Sequence, residues 1–205
     1  MADTAATRSA ALALADERTL MRQGHQFLDE KRMLLAAELL RGLRAHQAQE
    51  AALLADVQAA AAALRAALQR HGLQGLQAYP AAVLEPAAPT PTRDTFLGVA
   101  RLQAAYAPQA SLDEARALDA SPEAQAAAQA FAALLGPLAA LAASAGNLVR
   151  LAAEYRRTER RARALENVLL PEVQRALGAI LEHLELGEQE EAVRIRQAAR
   201  PRHGA

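Results

Sequence analysis

Apolar residues recur at every seventh position in both ends of this 205-residue chain, and this repeat constrains the fold more than any other feature. The first arm carries the series Leu14, Met21, Leu28 and Leu35. The second arm carries a longer series: Leu134, Leu141, Leu148, Tyr155, Ala162, Leu169 and Ala176. A stripe of this period drifts around a straight helix unless the helix supercoils against a partner. The repeat therefore predicts two long helices in a left-handed coiled coil.

A second row accompanies each series. In the first arm, the phase slips near Leu39 and the seam is expected to continue through two alternating rows: Leu40, Leu54, Ala61 and Leu68 with Leu43, Val57 and Leu64. In the second arm, the companion residues are Leu138, Ala145, Ala152, Val173 and Ile180. Pro171 lies inside this pattern and should kink the helix, because proline lacks the backbone donor.

Composition agrees with a mostly helical chain. Strong helix formers such as Ala, Leu, Glu and Arg dominate, and aromatic residues make up only 3%. Residues 71–121 differ, since they hold five of the nine Pro residues and three of the ten Gly residues, a density that no long helix tolerates, and residues 94–106 suggest a short hairpin. Ser121 is a predicted N-cap, with Pro122 in the first turn of the next helix.

The predicted fold class is therefore all-α and elongated. Residues 1–70 form the N-terminal long helix, residues 71–121 a small irregular or short-hairpin head, and residues 122–205 the C-terminal long helix. The arms Arg8–Arg70 and Leu134–Arg196 are equally long, which favours an antiparallel hairpin. Matching their ends places Leu35 beside Leu169 and Phe27 beside Leu177.

Charge and motifs exclude several function classes. Net charge is zero, so no general field attracts nucleic acid. Cysteine is absent and no secretory signal is evident, which favours the cytoplasm. Residues 124–149 are uncharged over a length that could span a bilayer, but the polar residues among them argue against insertion.

No enzyme signature is recognisable. None of the five histidines follows a glutamate at the spacing of a di-iron site, and Lys31 follows no phosphate-binding loop. We therefore expect no catalytic residue, cofactor or metal site.

One polar cluster stands out. The second arm carries five arginines that wrap around the helix, which we call the arginine band: Arg156, Arg157, Arg160, Arg161 and Arg163. Such a band could contact acidic partner surfaces, while the equally weighted alternative is that the arginine stems cover the apolar seam.

Both arms resemble the D subunit of V/A-type ATPases. The first arm matches that family's Thr-Lys-Ser start and later Lys-Arg pair through Thr7, Arg8, Ser9, Gly24, Leu28, Lys31 and Arg32. The second arm matches its Thr-x-Arg-Arg, Ala-Leu-Glu, Pro and terminal Glu-rich patterns through Thr158, Arg160, Arg161, Ala164, Leu165, Glu166, Pro171, Glu188 and Arg194.

The resemblance implies a non-catalytic central-stalk rotor component of an ion-translocating ATPase or ATP synthase, peripheral to the membrane. Its implied partners are the catalytic hexamer of A and B subunits, the small F subunit of the stalk and a C/d-type cap on the membrane ring. Arg8, Ser9, Arg194 and Arg196 would lie at the tip of the shaft. The alternatives are a cytoplasmic coiled-coil scaffold and, less favoured, a helix on the membrane surface.

Overall fold

The computed structural model describes residues 7–85, 87–112 and 120–198. In chain order the elements are helix α1 (Arg8–Gln77), strands β1 (Val83–Glu85), β2 (Thr90–Phe96), β3 (Val99–Ala105) and β4 (Gln109–Ser111), and helices α2 (Pro122–Ala164) and α3 (Leu170–Ala198). A π-helical turn, Leu165–Leu169, joins α2 to α3. The parts of the three predicted segments at 1–6, 86, 113–119 and 199–205 lie outside the described residues.

The predicted fold class is confirmed in its elements: two long helical stretches flank a small strand region. The chain divides into two compact units. The first unit comprises Met1–Met33 and Arg156–Ala205, and the second comprises Leu34–Tyr155. In each unit the two helical stretches pair antiparallel.

In the first unit, the core consists of Ala11 from α1 with Leu177 and Ile180 from α3. Further along α1, a Cβ atom added at Gly24 would lie 3.9 Å from the Leu165 side chain. Because contacts advance along α1 while they retreat along the second stretch, the pairing in this unit is antiparallel.

Among its described residues, the second unit has two buried apolar clusters. Leu35 and Leu151 pack with Val99 from the strand region, and Leu53 and Ala60 pack with Leu134. Between these clusters the helices approach closely, since a Cβ atom added at Gly42 would lie 3.1 Å from Leu148. The direction of pairing is again antiparallel.

The predicted register of the helix pair is wrong. Leu35 packs against Leu151 instead of Leu169, and Leu177 packs against Ala11 instead of Phe27. A heptad stripe looks the same after a slide of seven residues, so matching apolar positions cannot separate such registers. The prediction relies on equal arm lengths, whereas α1 continues to Gln77 with a kink at Gly72, and α2 begins at Pro122.

The predicted seam in the second half of the first arm is also wrong. The residues that face α2 there continue the earlier spacing without a slip: Leu39, His46, Leu53, Ala60 and Ala67. The predicted residues Leu40, Leu43, Leu54 and Val57 are instead exposed by 43% to 60%. Hydrophobicity does not reveal this inner row, because it includes the polar residue His46 and the small residues Ala60 and Ala67, and the small residues let the helices approach closely.

The predicted seam of the second arm is wrong at Leu169 and Ala176, and the π-helical turn explains why. Leu169 and Ala176 are exposed, while Leu177 is buried. A π-turn contains one extra residue, so the buried position expected at Ala176 moves to Leu177. The predicted companion residues Val173 and Ile180 are buried. The turn lies just before Pro171, whose ring would clash with a carbonyl in a regular helix. The predicted disruption at Pro171 therefore takes the form of a π-turn.

The predicted short hairpin is confirmed. Strands β2 and β3 pair antiparallel from Thr90 with Ala105 to Phe96 with Val99. Both residues of the connecting turn have positive φ, 49° at Leu97 and 85° at Gly98. Two positive φ values are typical of the tight turn whose twist matches a hairpin. Strands β1 and β4 form a second antiparallel pair.

Helix α2 begins as predicted. The Ala124 amide donates to the Ser121 hydroxyl at 3.2 Å, which makes Ser121 the N-cap. Both long helical stretches contain an 18-residue window that is long and apolar enough to cross a membrane by length and composition alone. In the second stretch, however, Ser144 and Asn147 have partners within the protein.

Candidate interaction surfaces

Asn147 attaches the β2–β3 hairpin to helix α2. Its side-chain oxygen accepts from the Leu102 amide at 2.8 Å, and its nitrogen donates to the Leu102 carbonyl at 2.7 Å. The Asn147 side chain thus bonds to β3 in the way that the backbone of a neighbouring strand would. Arg150 adds a bond from its Nε to the Ala100 carbonyl at 2.9 Å. These contacts satisfy the edge of β3 that faces α2.

Helix α1 holds the same hairpin through an ion-pair network. The buried Glu38 carboxylate accepts from Arg101 of β3 at 2.9 Å and also pairs with Arg41. Arg101 in turn pairs with Asp94 of β2 and stacks over the Phe96 ring at 5.3 Å. Arg101 lowers the pKa of the Asp94 carboxyl, and the Thr95 amide lowers it further by donating to the charged form.

The apolar contacts of the hairpin complete its docking. Val99 is buried against Leu35 and Leu151, with Phe96 partly buried beside them. Following β3, the Tyr106 carbonyl oxygen would lie only 2.3 Å from a Cβ atom added at Gly136. Glycine at this position therefore lets the chain cross directly over α2.

The outer edge of β2 is unsuited to pairing with another strand. The amide and carbonyl of Leu102 point away from β2, and Leu102 is paired with Arg93. Because backbone groups alternate in direction along an antiparallel pair, the backbone groups of Pro91, Arg93 and Thr95 point toward the outer edge of β2. Pro91 has no amide hydrogen, and the Thr95 amide donates to the Asp94 side chain. Proline and occupied donors protect an edge strand from adding a further strand.

Sequence reasoning missed this docking site. The available signal is Asn147 itself, the one asparagine within the uncharged run 124–149, whose amide must find partners wherever it is buried. The matching groups on β3 are mostly backbone atoms, which no side-chain pattern reveals.

All five members of the arginine band are exposed, while Thr158 and Ala162 between them are buried. Arg163 pairs with Glu159 at 2.6 Å, one helical turn away. Within the described residues, Arg156, Arg160 and Arg161 form no hydrogen bond or ion pair. The guanidinium groups of these three arginines are therefore exposed and have no partner among the described residues.

The other predicted contact residues lie near the start of α1 and the end of α3. Arg8 donates to Glu188 at 2.5 Å, and both side chains are exposed. The Ser9 hydroxyl lies 3.0 Å from that of Thr7. Arg194 lies 3.9 Å from Glu190, and Arg196 is exposed. The structure thus places Arg8 beside α3, where its described partner is Glu188 and not Arg194 or Arg196.

No chemistry of a catalytic centre is recognisable in these surfaces. Among the residues that the structure describes, no group of three or more His, Asp or Glu side chains could hold a metal ion. The polar networks that are described connect elements of the chain to one another.

Comparison with known families gives one match. The family model described as the D subunit of ATP synthase matches residues 10–200, which covers both helical stretches and the strand region between them. No curated protein matches the chain significantly.

Proposed function

Because this chain belongs to the family of ATP synthase D subunits, whose members are stalk subunits of rotary ATPases, we propose that it is the central shaft of the rotor. In this role it transmits torque between a catalytic hexamer of A and B subunits and a membrane rotor ring. The chain itself carries out no chemistry. It acts in the cytoplasm as a peripheral part of a complex that moves ions, hydrogen ions included, across the membrane.

The observation that carries the proposal is the antiparallel pairing seen within each unit, combined with a family match that spans both helical stretches. A shaft must resist torsion, and two helices joined by buried side chains twist less readily than one. The Arg8–Glu188 bond supports a tip at which the start of α1 and the end region of α3 work together.

We assign the partner contacts accordingly. Arg8, Ser9, Arg194 and Arg196 face the interior of the hexamer, and the arginine band faces acidic side chains of the surrounding subunits. The small F subunit of the stalk binds the lower part of the coiled coil, and a C/d-type cap lies on the membrane ring. The uncommitted guanidinium groups of Arg160 and Arg161 support this assignment, since exposed arginines can form bidentate bonds with partner carboxylates.

Charge reversal in the arginine band tests the proposal. The double variant Arg160→Glu, Arg161→Glu should uncouple ATP hydrolysis from ion pumping in the reconstituted complex while the chain stays folded, because both side chains are exposed. Arg44→Glu with Arg65→Glu is a matched control, since these arginines lie on α1, outside the band. Unchanged coupling in the band variant would refute the role of the arginine band.

Co-purification separates the rotor from the alternative of a coiled-coil scaffold. A tagged rotor shaft should bring down nucleotide-binding subunits, whereas a scaffold should bring down only further copies of itself. The match to the family of D subunits favours the first result.

A further inference from the structure

Strand β3 is bonded to both long helices of the second unit through residues 100–102, which we call the strap. The two outer residues of the strap bond to α2. The Ala100 carbonyl accepts from Arg150 at 2.9 Å, and the Leu102 backbone exchanges two hydrogen bonds with Asn147 at 2.8 and 2.7 Å. These bonds fix the position of the strap along α2.

The middle residue of the strap, Arg101, bonds to α1. Its Nη1 donates to the Glu38 carboxylate at 2.9 Å. Glu38 is only 8% exposed, so water screens this ion pair less than it screens a pair on the surface. The other side of the guanidinium pairs with Asp94 of β2, which keeps the Arg101 side chain in place. The strap is therefore bonded to α1 and to α2 within three consecutive residues.

Sliding of α1 along α2 must distort one of these two sets of bonds. Bending a helix pair in the plane of its two axes requires such sliding. Because packed helix axes lie about 8–10 Å apart, a bend of about 10° moves one helix past the other by about 1.6 Å. A movement of this size changes both the length and the angle of hydrogen bonds of 2.7–2.9 Å, which weakens them.

A direct hydrogen bond joins the same two helices close to the strap. His46 Nδ1 lies 2.6 Å from the Ser144 hydroxyl oxygen. Because the Ser144 hydroxyl donates to the Leu141 carbonyl at 3.0 Å, it accepts from His46 Nδ1–H. Apolar contacts along the seam are non-directional and resist small sliding movements less than directional hydrogen bonds do. Resistance to sliding is thus expected from the strap and from the His46–Ser144 bond.

We propose that the strap prevents α1 and α2 of the second unit from sliding past each other and thereby stiffens this helix pair against bending. Its two ends act in series, since the strap resists sliding only while it is bonded to both helices. The His46–Ser144 bond acts in parallel with the strap, because it joins the helices directly. The inference follows from residues of the second unit, and only its value to a shaft that must stay straight rests on the proposed function.

Disulfide trapping in the full-length chain measures sliding. The sequence contains no cysteine, so an introduced pair reports without interference. The aligned pair, Leu53→Cys with Leu141→Cys, joins residues of one apolar cluster. The offset pair, Leu53→Cys with Ala145→Cys, is displaced by a further helical turn, about 6 Å, so its thiols meet only when the helices slide. The ratio of the offset to the aligned oxidation rate, at a fixed oxidant concentration, reports how readily the helices slide.

Removing the bonds at either end of the strap should raise this ratio by at least about fivefold. Glu38→Ala removes the bond to α1, and Asn147→Ala with Arg150→Ala removes the bonds to α2. Because the two ends act in series, all three substitutions together should raise the ratio by less than about twofold beyond either end alone. Glu50→Ala, which replaces an exposed glutamate of α1, is the matched control and should change the ratio by less than about twofold.

His46→Ala provides the contrast, since its effect should multiply with that of Glu38→Ala. Circular dichroism checks folding, and Glu38→Gln, which keeps an acceptor oxygen but removes the charge, should still raise the ratio if Glu38→Ala does not fold. The proposal is overturned by an unchanged ratio in the strap variants, or by effects of the two ends that multiply. No other ATPase subunit takes part, so failure here leaves the rotor proposal standing, and failure of the rotor proposal leaves the measured sliding unchanged.

Discussion

Gly136 and Gly178 are both helical glycines, but their surroundings differ. A Cβ atom added at Gly136 would lie 2.3 Å from the Tyr106 carbonyl oxygen, whereas one added at Gly178 would meet nothing within 4 Å. The first glycine allows a close crossing of two chain segments. The second has no packing role that the structure reveals, so there glycine only lowers helix stability.

Alanine substitutions at these two glycines should therefore have opposite effects. Gly136→Ala should lower the free energy of unfolding by about 1–3 kcal/mol, because the backbone at Tyr106 must move away. Gly178→Ala should raise it by about 0.5–1 kcal/mol, since alanine is the better helix former. Urea unfolding of the full chain measures both. A neutral Gly136→Ala variant would contradict the docking described for the segment after β3.

At Asp94, the interaction with Arg101 predicts a pH dependence. Because the folded protein favours the charged carboxylate, its pKa lies below the ordinary value of 3.8. The stabilising effect on the hairpin is thus complete above that value and is lost as the pH falls through the lowered pKa. The NMR signal of the Thr95 amide, which donates to Asp94, should titrate with a midpoint below 3.8. The titration should be absent in Asp94→Asn, and a midpoint at or above the ordinary value would contradict the ion pair.

At the scale of elements, the π-turn shows how one residue redirects a whole helix face. Leu177 and Ile180 reach the core of the first unit only because the turn inserts one extra residue before them. A regular helix through Leu165–Leu169 would turn the Leu169 and Ala176 positions toward α1 instead. The apolar content of that seam would then be lower.

A deletion in the π-turn tests this interpretation. Removing Val168, together with Pro171→Ala, should convert the π-turn to a regular α-helix and keep Leu177 and Ile180 in the core, so thermal stability should be retained. Removing Gln174 is the control, because it rotates the same residues out of the core and should cost about 3–5 kcal/mol. The interpretation fails if both deletions destabilise the chain equally.

The sequence could predict the elements better than their pairing. The N-cap at Ser121, the hairpin and the two helical stretches follow from local chemistry, and the structure confirms them. The register depends on which of several equivalent heptads meet, and small residues such as Gly42 and Ala60 decide that through close approach. Hydrophobicity alone ranks the exposed residues Leu40, Leu43, Leu54 and Val57 above the inner row, so the sequence predicts the wrong seam.

The docking site of the hairpin was beyond sequence reasoning for a similar reason. Asn147 and Arg150 bond to backbone atoms of Leu102 and Ala100, and backbone groups are the same at every position. Glu38 is one of many carboxylates in the sequence, and no sequence pattern distinguishes it from the others. The arginine band could be recognised because its charge density is local in the sequence, although its proposed partners lie in other proteins.

At the scale of the whole molecule, the proposed role is that of a rotor shaft. Membership of the family of ATP synthase D subunits and antiparallel pairing in both units support this role. The absence of cysteine from the sequence makes a single labelled position straightforward to introduce. Arg93 on strand β2 is suitable, because it is exposed and takes no part in the docking network described for the hairpin.

The most direct measurement is to observe rotation. In a complex whose catalytic hexamer is fixed to a surface, a bead attached through Arg93→Cys should turn in one direction, in steps, while ATP is hydrolysed. The hydrolysis rate should equal that of the unlabelled complex. A bead that stays still while hydrolysis continues would contradict the central claim.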